Sequence, residues 1–255
     1  MRHDIKNGVF HIGDCFDVMA KLPDASVDMV LCDLPYGTTQ NKWDSVLPLD
    51  ALWREYWRIA KPNAAVVLTA SQPFTSALIM GQIQHFRYEW IWKKNMGSGF
   101  AAAKYQPMRY HESVLIFYKQ RPVYNPQPTA RNSTASENVC KRPVRSGANK
   151  SNHTPMSTVM RQYDPKSKGP ESVLSFDSVP NGGGGKLHPT QKPVDLFEYL
   201  IRTYTNEGMT VLDNTAGSGT TAIAAERSNR RWICIERDEG YAAKAIERIR
   251  AEITA

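Results

Sequence analysis

The sequence contains few cysteines, and their spacing does not match a metal site or a disulfide framework. Only four occur in 255 residues, at Cys15, Cys32, Cys140 and Cys234. Neither a zinc motif nor a set of paired bridges is therefore indicated. This usage is typical of a reducing compartment, so we expect a cytoplasmic location and no bound metal.

The chain also lacks a long apolar run. The longest, near residues 64–68, is far shorter than the roughly 20 residues that a membrane-spanning helix needs. The opening residues, Met-Arg-His-Asp-Ile-Lys-Asn-Gly, are too polar for a signal peptide. We therefore expect no membrane association. The length suffices for one large domain, or for a core with an inserted module.

Acidic residues are scarce in one segment. From Lys119 to Lys192 there are 12 Lys/Arg and only 4 Asp/Glu. The rest of the chain has 20 Lys/Arg and 21 Asp/Glu. Hydrophobic periodicity also disappears between residues 120 and 187, where Pro, Ser, Asn and Gly are frequent. The pattern is typical of an anion-binding module inserted into a neutral scaffold, with nucleic acid as the first candidate. A solvated, partly disordered insert is the alternative.

Outside this segment, short apolar runs alternate with helical periodicities. The runs predict strands at residues 8–13, 29–32, 64–69, 86–92, 113–118, 209–212 and 231–235. A loop with cations at both ends is predicted at residues 93–104. The alternation predicts an α/β fold with a doubly wound, mainly parallel sheet. It divides the chain into residues 1–119, a loop-rich insert at 120–187, and residues 188–255.

A glycine-rich turn, Asp213-Asn-Thr-Ala-Gly-Ser-Gly-Thr-Thr221, joins a predicted strand to a predicted helix. Glycines let the backbone approach a ligand, and a helix N-terminus offers N–H donors. Glu236 ends the next strand, where an acidic residue can accept both ribose hydroxyls. A pyrophosphate would be repelled by Asp213, but a ligand with an ammonium group would not. These features predict a nucleoside site that suits S-adenosylmethionine.

Residues 29–37, Met-Val-Leu-Cys-Asp-Leu-Pro-Tyr-Gly, form a buried strand followed by a stiff turn. Pro35 fixes its own φ and keeps Leu34 out of the helical region. We therefore expect the Asp33 carboxylate, the Leu34 carbonyl and the Tyr36 ring at the carboxyl edge of the sheet. Ligands bind at this edge in open α/β sheets.

Three segments together resemble the amino-methylating DNA methyltransferases, the N6-adenine/N4-cytosine family. Asp33-Leu-Pro-Tyr36 is similar to their Asp-Pro-Pro-Tyr catalytic motif, and residues 213–221 to their Asp-Pro-Phe-x-Gly-Ser-Gly-Thr-Thr cofactor motif. His188-Pro-Thr-Gln-Lys192-Pro193 resembles the segment before their cofactor strand. The order of the motifs resembles the β group, whose Rossmann-like sheet is circularly permuted around a target-recognition region. Leu34 and Asn214-Thr215 depart from the pattern, and the missing Phe affects one packing contact to the cofactor.

The resemblance implies methyl transfer from S-adenosylmethionine to the 6-amino group of an adenine flipped out of duplex DNA. The implied catalytic residues are Asp33, Leu34, Pro35 and Tyr36. The implied cofactor-binding residues are Asp14, Cys15, Lys192, Asp213, Thr215, Ala216, Gly217, Gly219, Thr220, Thr221 and Glu236. Candidate DNA contacts are Trp43, Lys93, Lys94, Lys104, Arg109, Arg131, Lys141, Arg142 and Arg145.

Several alternatives stay open at this point. Methylation at the 4-amino group of cytosine is the nearest, although Asp rather than Ser in the catalytic motif favours adenine. Protein-glutamine and RNA methyltransferases share the tetrapeptide type but usually place the cofactor motif first. A non-catalytic DNA-binding protein would not need the Asp33–Tyr36 turn. Asp14 and Lys192 could equally be a helix cap and a surface cation. Duplex DNA is the expected partner, while a homodimer and a cognate restriction endonuclease are left open.

Overall fold

Nine strands form one sheet in the larger of two structural units. The computed structural model describes residues 1–37, 44–130, 167–180 and 186–254. The chain divides into a larger unit, residues 1–125 with 172–255, and a smaller unit, residues 126–171. Trp43, Arg131, Lys141, Arg142 and Arg145 lie outside the described residues.

The strands of the large sheet are β1 (Arg2–Ile5), β2 (Gly8–Ile12), β3 (Val27–Asp33), β4 (Ala60–Ala70), β5 (Phe86–Ser98), β6 (Arg109–Phe117), β9 (Val173–Ser175), β10 (Thr210–Asp213) and β11 (Arg231–Glu236). In the smaller unit, β7 (Thr129–Ala130) pairs antiparallel with β8 (Ser167–Lys168). The order across the large sheet is β1-β2-β11-β10-β3-β4-β6-β5-β9. From β2 to β4 every neighbouring pair is parallel, as is β5 with β9. The other pairs are antiparallel.

Helices cover both faces of this sheet. They are α1 (Cys15–Met19), α2 (Leu49–Ile59), α3 (Phe74–Gly81), α4 (Val194–Tyr204), α5 (Thr220–Arg227) and α6 (Glu239–Thr254), with a 3₁₀ turn at Phe100–Ala102. Alternate β3 residues point to opposite faces, as in any strand. Met29 and Leu31 join the core beneath α4, α5 and α6, whereas Val30 and Cys32 join the core beneath α2 and α3. The predicted doubly wound, mainly parallel sheet is therefore confirmed.

Three features differ from the sequence expectations. Strand β1 was not predicted. β5 continues to Ser98, where a loop was expected from residue 93, because its second half pairs with β6. β9 lies in the segment that was assigned to the insert, yet it pairs in parallel with Ile91–Lys93 of β5. The partner of β9 is about 80 residues away in sequence, so local periodicity does not reveal that pairing. No helix in the described ranges is long and apolar enough to cross a bilayer.

The central parallel strands bring three acidic residues to one edge of the sheet. Asp33, Asp213 and Glu236 are the last residues of β3, β10 and β11, which are neighbours in the sheet. Asp14 follows β2, which pairs with β11. Because parallel strands end at a common edge, the two sequence motifs meet there although they are about 180 residues apart.

Candidate active site

A cavity of about 420 Å³ lies at this carboxyl edge, within the usual size range of small-molecule sites. All four residues of the Asp33–Tyr36 turn line it. It is also lined by most of the cofactor candidates: Asp14, Cys15, Lys192, Asp213, Thr215, Ala216, Gly217, Thr220 and Glu236. Gly219 and Thr221 do not line it; Thr221 is fully buried behind the turn. One cavity therefore joins the two motifs.

The Asp33 carboxylate is held by three side-chain hydrogen bonds. Oδ1 accepts from the Tyr36 hydroxyl at 2.8 Å and from Thr69 Oγ1 at 2.5 Å. Oδ2 accepts from Lys192 Nζ at 2.6 Å. The Tyr36 ring stacks on Phe74, with 5.4 Å between the ring centroids. Burial, with Asp33 and Glu112 nearby, raises the pKa of Tyr36 well above its usual value, so its hydroxyl stays protonated and can donate.

Lys192 is the centre of a buried network of two cations and two carboxylates. Its Nζ lies 2.6 Å from Asp33 Oδ2 and 3.4 Å from Glu112 Oε2. Glu112 Oε1 in turn accepts from Lys94 Nζ at 3.0 Å. Burial favours a lower pKa for Lys192, but the two carboxylates outweigh it and the pKa is raised. Burial likewise favours a higher pKa for Glu112, but the two lysines outweigh it and the pKa is lowered.

This network corrects two sequence expectations. Lys192 is not the surface cation that was left open, because its buried ammonium is engaged by Asp33 and Glu112; it also lines the cavity, and its contact with the carboxylate of the cofactor stays a prediction. Lys94 was expected to contact DNA, but its side chain is only 9% exposed and is paired with Glu112. The physical reason is the same for both, because a buried ammonium needs carboxylates beside it.

Hydrogen bonds of Asp213 and Thr215 link the glycine-rich turn to the catalytic turn. Asp213 Oδ1 accepts from the Thr215 backbone N–H at 3.0 Å, and Oδ2 from Thr221 Oγ1 at 2.5 Å. Thr215 Oγ1 donates to the Asp33 carbonyl at 3.1 Å. Gly219 has φ +76°, and a Cβ there would lie 2.9 Å from Ile249 Cδ1. The positive φ favours glycine at this position, directly before α5.

Glu236 lies at the end of β11 with both carboxylate oxygens accepting backbone N–H groups. Oε2 accepts from Gly217 at 2.9 Å and Oε1 from Asp238 at 2.8 Å. Burial raises the pKa of Glu236. A carboxylate has about four acceptor positions, so Glu236 keeps capacity for two hydroxyl groups in the cavity. Asp14, the neighbouring acid, caps α1 by accepting from the Phe16 N–H at 2.8 Å and also lines the cavity.

Sequence reasoning missed several residues around the site. Thr69 and Glu112 contact the Asp33 network from β4 and β6. His188 lines the cavity and packs edge-on against Tyr241, with 4.5 Å between the centroids. His188 opens the His188-Pro-Thr-Gln-Lys192-Pro193 motif, so the sequence does carry a signal for it. Tyr241, in the first turn of α6, carried no sequence signal.

The described DNA candidates lie on β5, β6 and the loop between them. Lys93, Lys104 and Arg109 are exposed, and Arg109 donates to Ser71 Oγ at 2.5 Å. Within the described part of the chain, no group of three or more His, Cys, Asp or Glu side chains is arranged to hold a metal ion.

Asp213 should make stability fall as pH rises. Burial, which dominates over its hydrogen bonds, raises its pKa from 3.8 to about 7. The folded state therefore keeps this proton between about pH 4 and 7, while the unfolded chain releases it. Relative to Asp213→Asn, the wild-type protein should lose about 2–3 kcal/mol of unfolding free energy between pH 4.5 and 6.5. Urea unfolding of both proteins across this range measures the difference. A difference that does not change with pH would contradict the raised pKa.

Comparison with known proteins places this geometry in a family. A model of the N6/N4 DNA methylase family matches residues 27–247. The type II methyltransferase M1.MboII of Moraxella bovis is 27% identical, over 92% of this chain and 94% of its own. The solved PvuII DNA methyltransferase, cytosine-N4-specific, superposes with a TM-score of 0.65 at 18% identity and covers 98% of this chain and 92% of its own. The solved M1.HpyAVI–SAM complex superposes with a TM-score of 0.60 at 22% identity, and the match covers 94% of this chain and 98% of its own. The cavity, with its glycine-rich turn and Glu236, fits the same cofactor. The chain belongs to the N6/N4 family of S-adenosylmethionine-dependent DNA methyltransferases, and its sheet has the Rossmann-like fold of that class.

Proposed function

We propose that the protein methylates the 6-amino group of adenine in duplex DNA. The observation that carries this proposal is the position of Asp33. Its carboxylate lies on the wall of the same cavity as the glycine-rich turn and Glu236. A group that can activate an amine therefore faces the space that suits the methyl donor.

The cavity walls offer a partner for each part of S-adenosylmethionine. In this proposal Glu236 binds the ribose hydroxyls, and Asp14 with Cys15 lies near the adenine. Ala216, Gly217 and Thr220 hold the methionine portion, and Asp213 attracts its ammonium group. Thr221 and Gly219 act indirectly, because they shape the turn without lining the cavity. When bound, S-adenosylmethionine supplies an electrophilic methyl group.

Asp33 is the group that makes the base amine reactive. An exocyclic amine is a poor nucleophile because its lone pair is delocalised into the ring. The Asp33 carboxylate and the Leu34 carbonyl accept hydrogen bonds from its two N–H groups and favour a pyramidal nitrogen. The carboxylate also stabilises the positive charge that develops on nitrogen. Holding the amine in line supplies further acceleration.

Tyr36 and the charged network hold this arrangement in place. The Tyr36 ring, stacked on Phe74, offers a surface on which the target base stacks. The base must leave the duplex to reach the cavity, so base flipping is part of the proposal. Lys192 fixes one oxygen of Asp33 and thereby orients the carboxylate.

Cytosine is the second candidate target. The family includes enzymes of both specificities, and the PvuII enzyme with the similar fold is cytosine-N4-specific. We favour adenine because the catalytic turn begins with Asp rather than Ser. Duplex DNA is the proposed partner, contacted by Lys93, Lys104, Arg109 and the basic insert that carries Arg131, Lys141, Arg142 and Arg145. A homodimer, a cognate restriction endonuclease and a cytoplasmic location stay predictions.

Mass spectrometry of digested nucleosides tests the proposal. Plasmid DNA from a methylation-deficient host is incubated with the protein and S-adenosylmethionine, with a reaction lacking protein as control. We expect N6-methyladenine and no N4-methylcytosine. N4-methylcytosine alone would overturn the adenine assignment and favour the second candidate. The absence of any methylated nucleoside would overturn the proposed function.

A further inference from the structure

The β5–β6 hairpin extends beyond the edge of the sheet where the cavity lies. Strand β4 ends at the pair Ala70↔Ser113, but β5 and β6 continue to pair as far as Ser98↔Arg109. At about 3.3 Å per residue, the four residues from Ser113 to Arg109 add about 13 Å. Glu112, at the root of this extension, lies 3.4 Å from the Tyr36 hydroxyl. The hairpin therefore rises directly from the catalytic edge.

Two large aromatic side chains are almost fully exposed at the hairpin tip, residues 99–108. Phe100 is 82% exposed and Tyr105 is 89% exposed. The backbone that carries them is ordered by local hydrogen bonds, from Ala102 N–H to the Gly99 carbonyl at 3.0 Å and from Tyr105 N–H to the Ala102 carbonyl at 2.9 Å. Large aromatic side chains that are exposed on a loop with its own backbone hydrogen bonds are typical of a binding surface.

The charge around the tip is of one sign. No acidic residue occurs from Lys93 to His111. Lys93, Lys104 and Arg109 are exposed along the hairpin. Cations attract the phosphate backbone of nucleic acid, and apolar side chains inserted between bases unstack them. This combination fits DNA better than an apolar protein surface, which offers no anions to the three cations.

We propose that the tip of this hairpin inserts into duplex DNA beside the target base. Phe100 and Tyr105 stack against the bases next to the vacated position, while the exposed cations hold the flanking phosphates. This role rests on the proposed function, because it supplies the step that brings the base to Asp33. The aromatic side chains thus act on base extrusion and not on methyl transfer itself.

The test uses the double variant Phe100→Ala/Tyr105→Ala. Its control is Met80→Ala/Ile83→Ala, which removes two other exposed apolar side chains, 71% and 59% exposed. The substrate is a synthetic duplex with one methylation site, mapped by sequencing plasmid DNA that the wild-type protein has methylated. A second duplex is identical but has an abasic site opposite the target base. Melting temperature and S-adenosylmethionine affinity verify the fold of each variant.

We expect the hairpin variant to methylate the paired duplex roughly ten- to a hundredfold more slowly than wild type. On the abasic duplex, whose target base is already unpaired, its rate should lie within about threefold of wild type. The control variant should match wild type on both. Equal loss on both duplexes, or no loss on the paired one, would overturn the insertion role. A changed oligomeric state in sedimentation, with methylation intact, would overturn it in favour of self-association. If the wild-type protein methylates no DNA, the proposed function fails and this role fails with it.

Discussion

Lys192→Met is expected to lower the free energy of unfolding by about 3–5 kcal/mol at pH 8. The ammonium lies between Asp33 and Glu112, with only 6% of its side chain exposed. Removing it leaves two buried carboxylates with one cation, Lys94. A buried charge without a partner costs more than the pair contributes. Chemical denaturation at equilibrium measures the change.

The pH dependence of Lys192→Met should also be distinctive. Lys192 helps to lower the pKa of Glu112 against its burial, so we expect the folded-state pKa of this carboxyl group to rise above its unfolded value once the cation is removed. Its stabilising contribution is therefore present at low pH and lost as pH rises through the folded-state pKa. The deficit relative to wild type should grow from pH 5 to pH 8.

Two further variants separate the charge effect from lost packing. Adding Asp33→Asn to Lys192→Met removes the carboxylate that has lost its cation and leaves Glu112 paired with Lys94 at 3.0 Å, so it should recover at least about 1 kcal/mol. Lys61→Met is the control. Lys61 Nζ lies 2.7 Å from Asp28 Oδ1, but the Lys61 side chain is 40% exposed. This substitution should cost no more than about 1 kcal/mol. A similar small cost for Lys192→Met would contradict the buried network.

The sequence allowed the central sheet to be predicted because its strands are locally distinctive. Val66–Leu68 and Met29–Cys32 are uninterrupted apolar runs, and burial on both faces of a parallel sheet requires such runs. The glycine-rich turn was also predictable from the sequence. Gly217 and Gly219 adopt positive φ, which glycine does readily, so the conformation of the turn shows in the residue type. Strand β9 was not predictable, since its pairing with β5 depends on residues about 80 positions apart.

The charged network around Asp33 is the part of the site that the sequence did not predict. The sequence placed Asp33 and Lys192 in motifs, but nothing in it indicated that they contact each other across 159 positions. Glu112 sits among aromatic and β-branched residues of β6, where a carboxylate carries no distinctive spacing. The antiparallel pairing of β6 with β4 ends at the neighbouring Ser113, and Lys192 then links Glu112 to Asp33. Which charges pair depends on the tertiary fold, whereas a sequence motif indicates only which residues lie near one another along the chain.

Asp33→Asn is expected to reduce methyl transfer by about 10²–10⁴. The amide has nearly the same shape and can still accept from Tyr36 and Thr69, so the turn should keep its conformation. It lacks the negative charge that stabilises the developing cation on the base amine. Its NH₂ group also offers donors where a base amine needs an acceptor. Binding of S-adenosylmethionine should change by no more than a few fold, since Glu236 and the glycine-rich turn are untouched.

The decisive measurement is the single-turnover rate of methyl transfer to duplex DNA, with S-adenosylmethionine saturating. Asp28→Asn is the matched control, because Asp28 is on the same strand and is also paired with a lysine, but lies at the other end of β3. We predict a rate for Asp33→Asn at least about a hundredfold below wild type, with Asp28→Asn near wild type and cofactor binding retained in both. A folded, cofactor-binding Asp33→Asn protein that transfers methyl groups at the wild-type rate would contradict the assignment of Asp33 as the group that activates the amine.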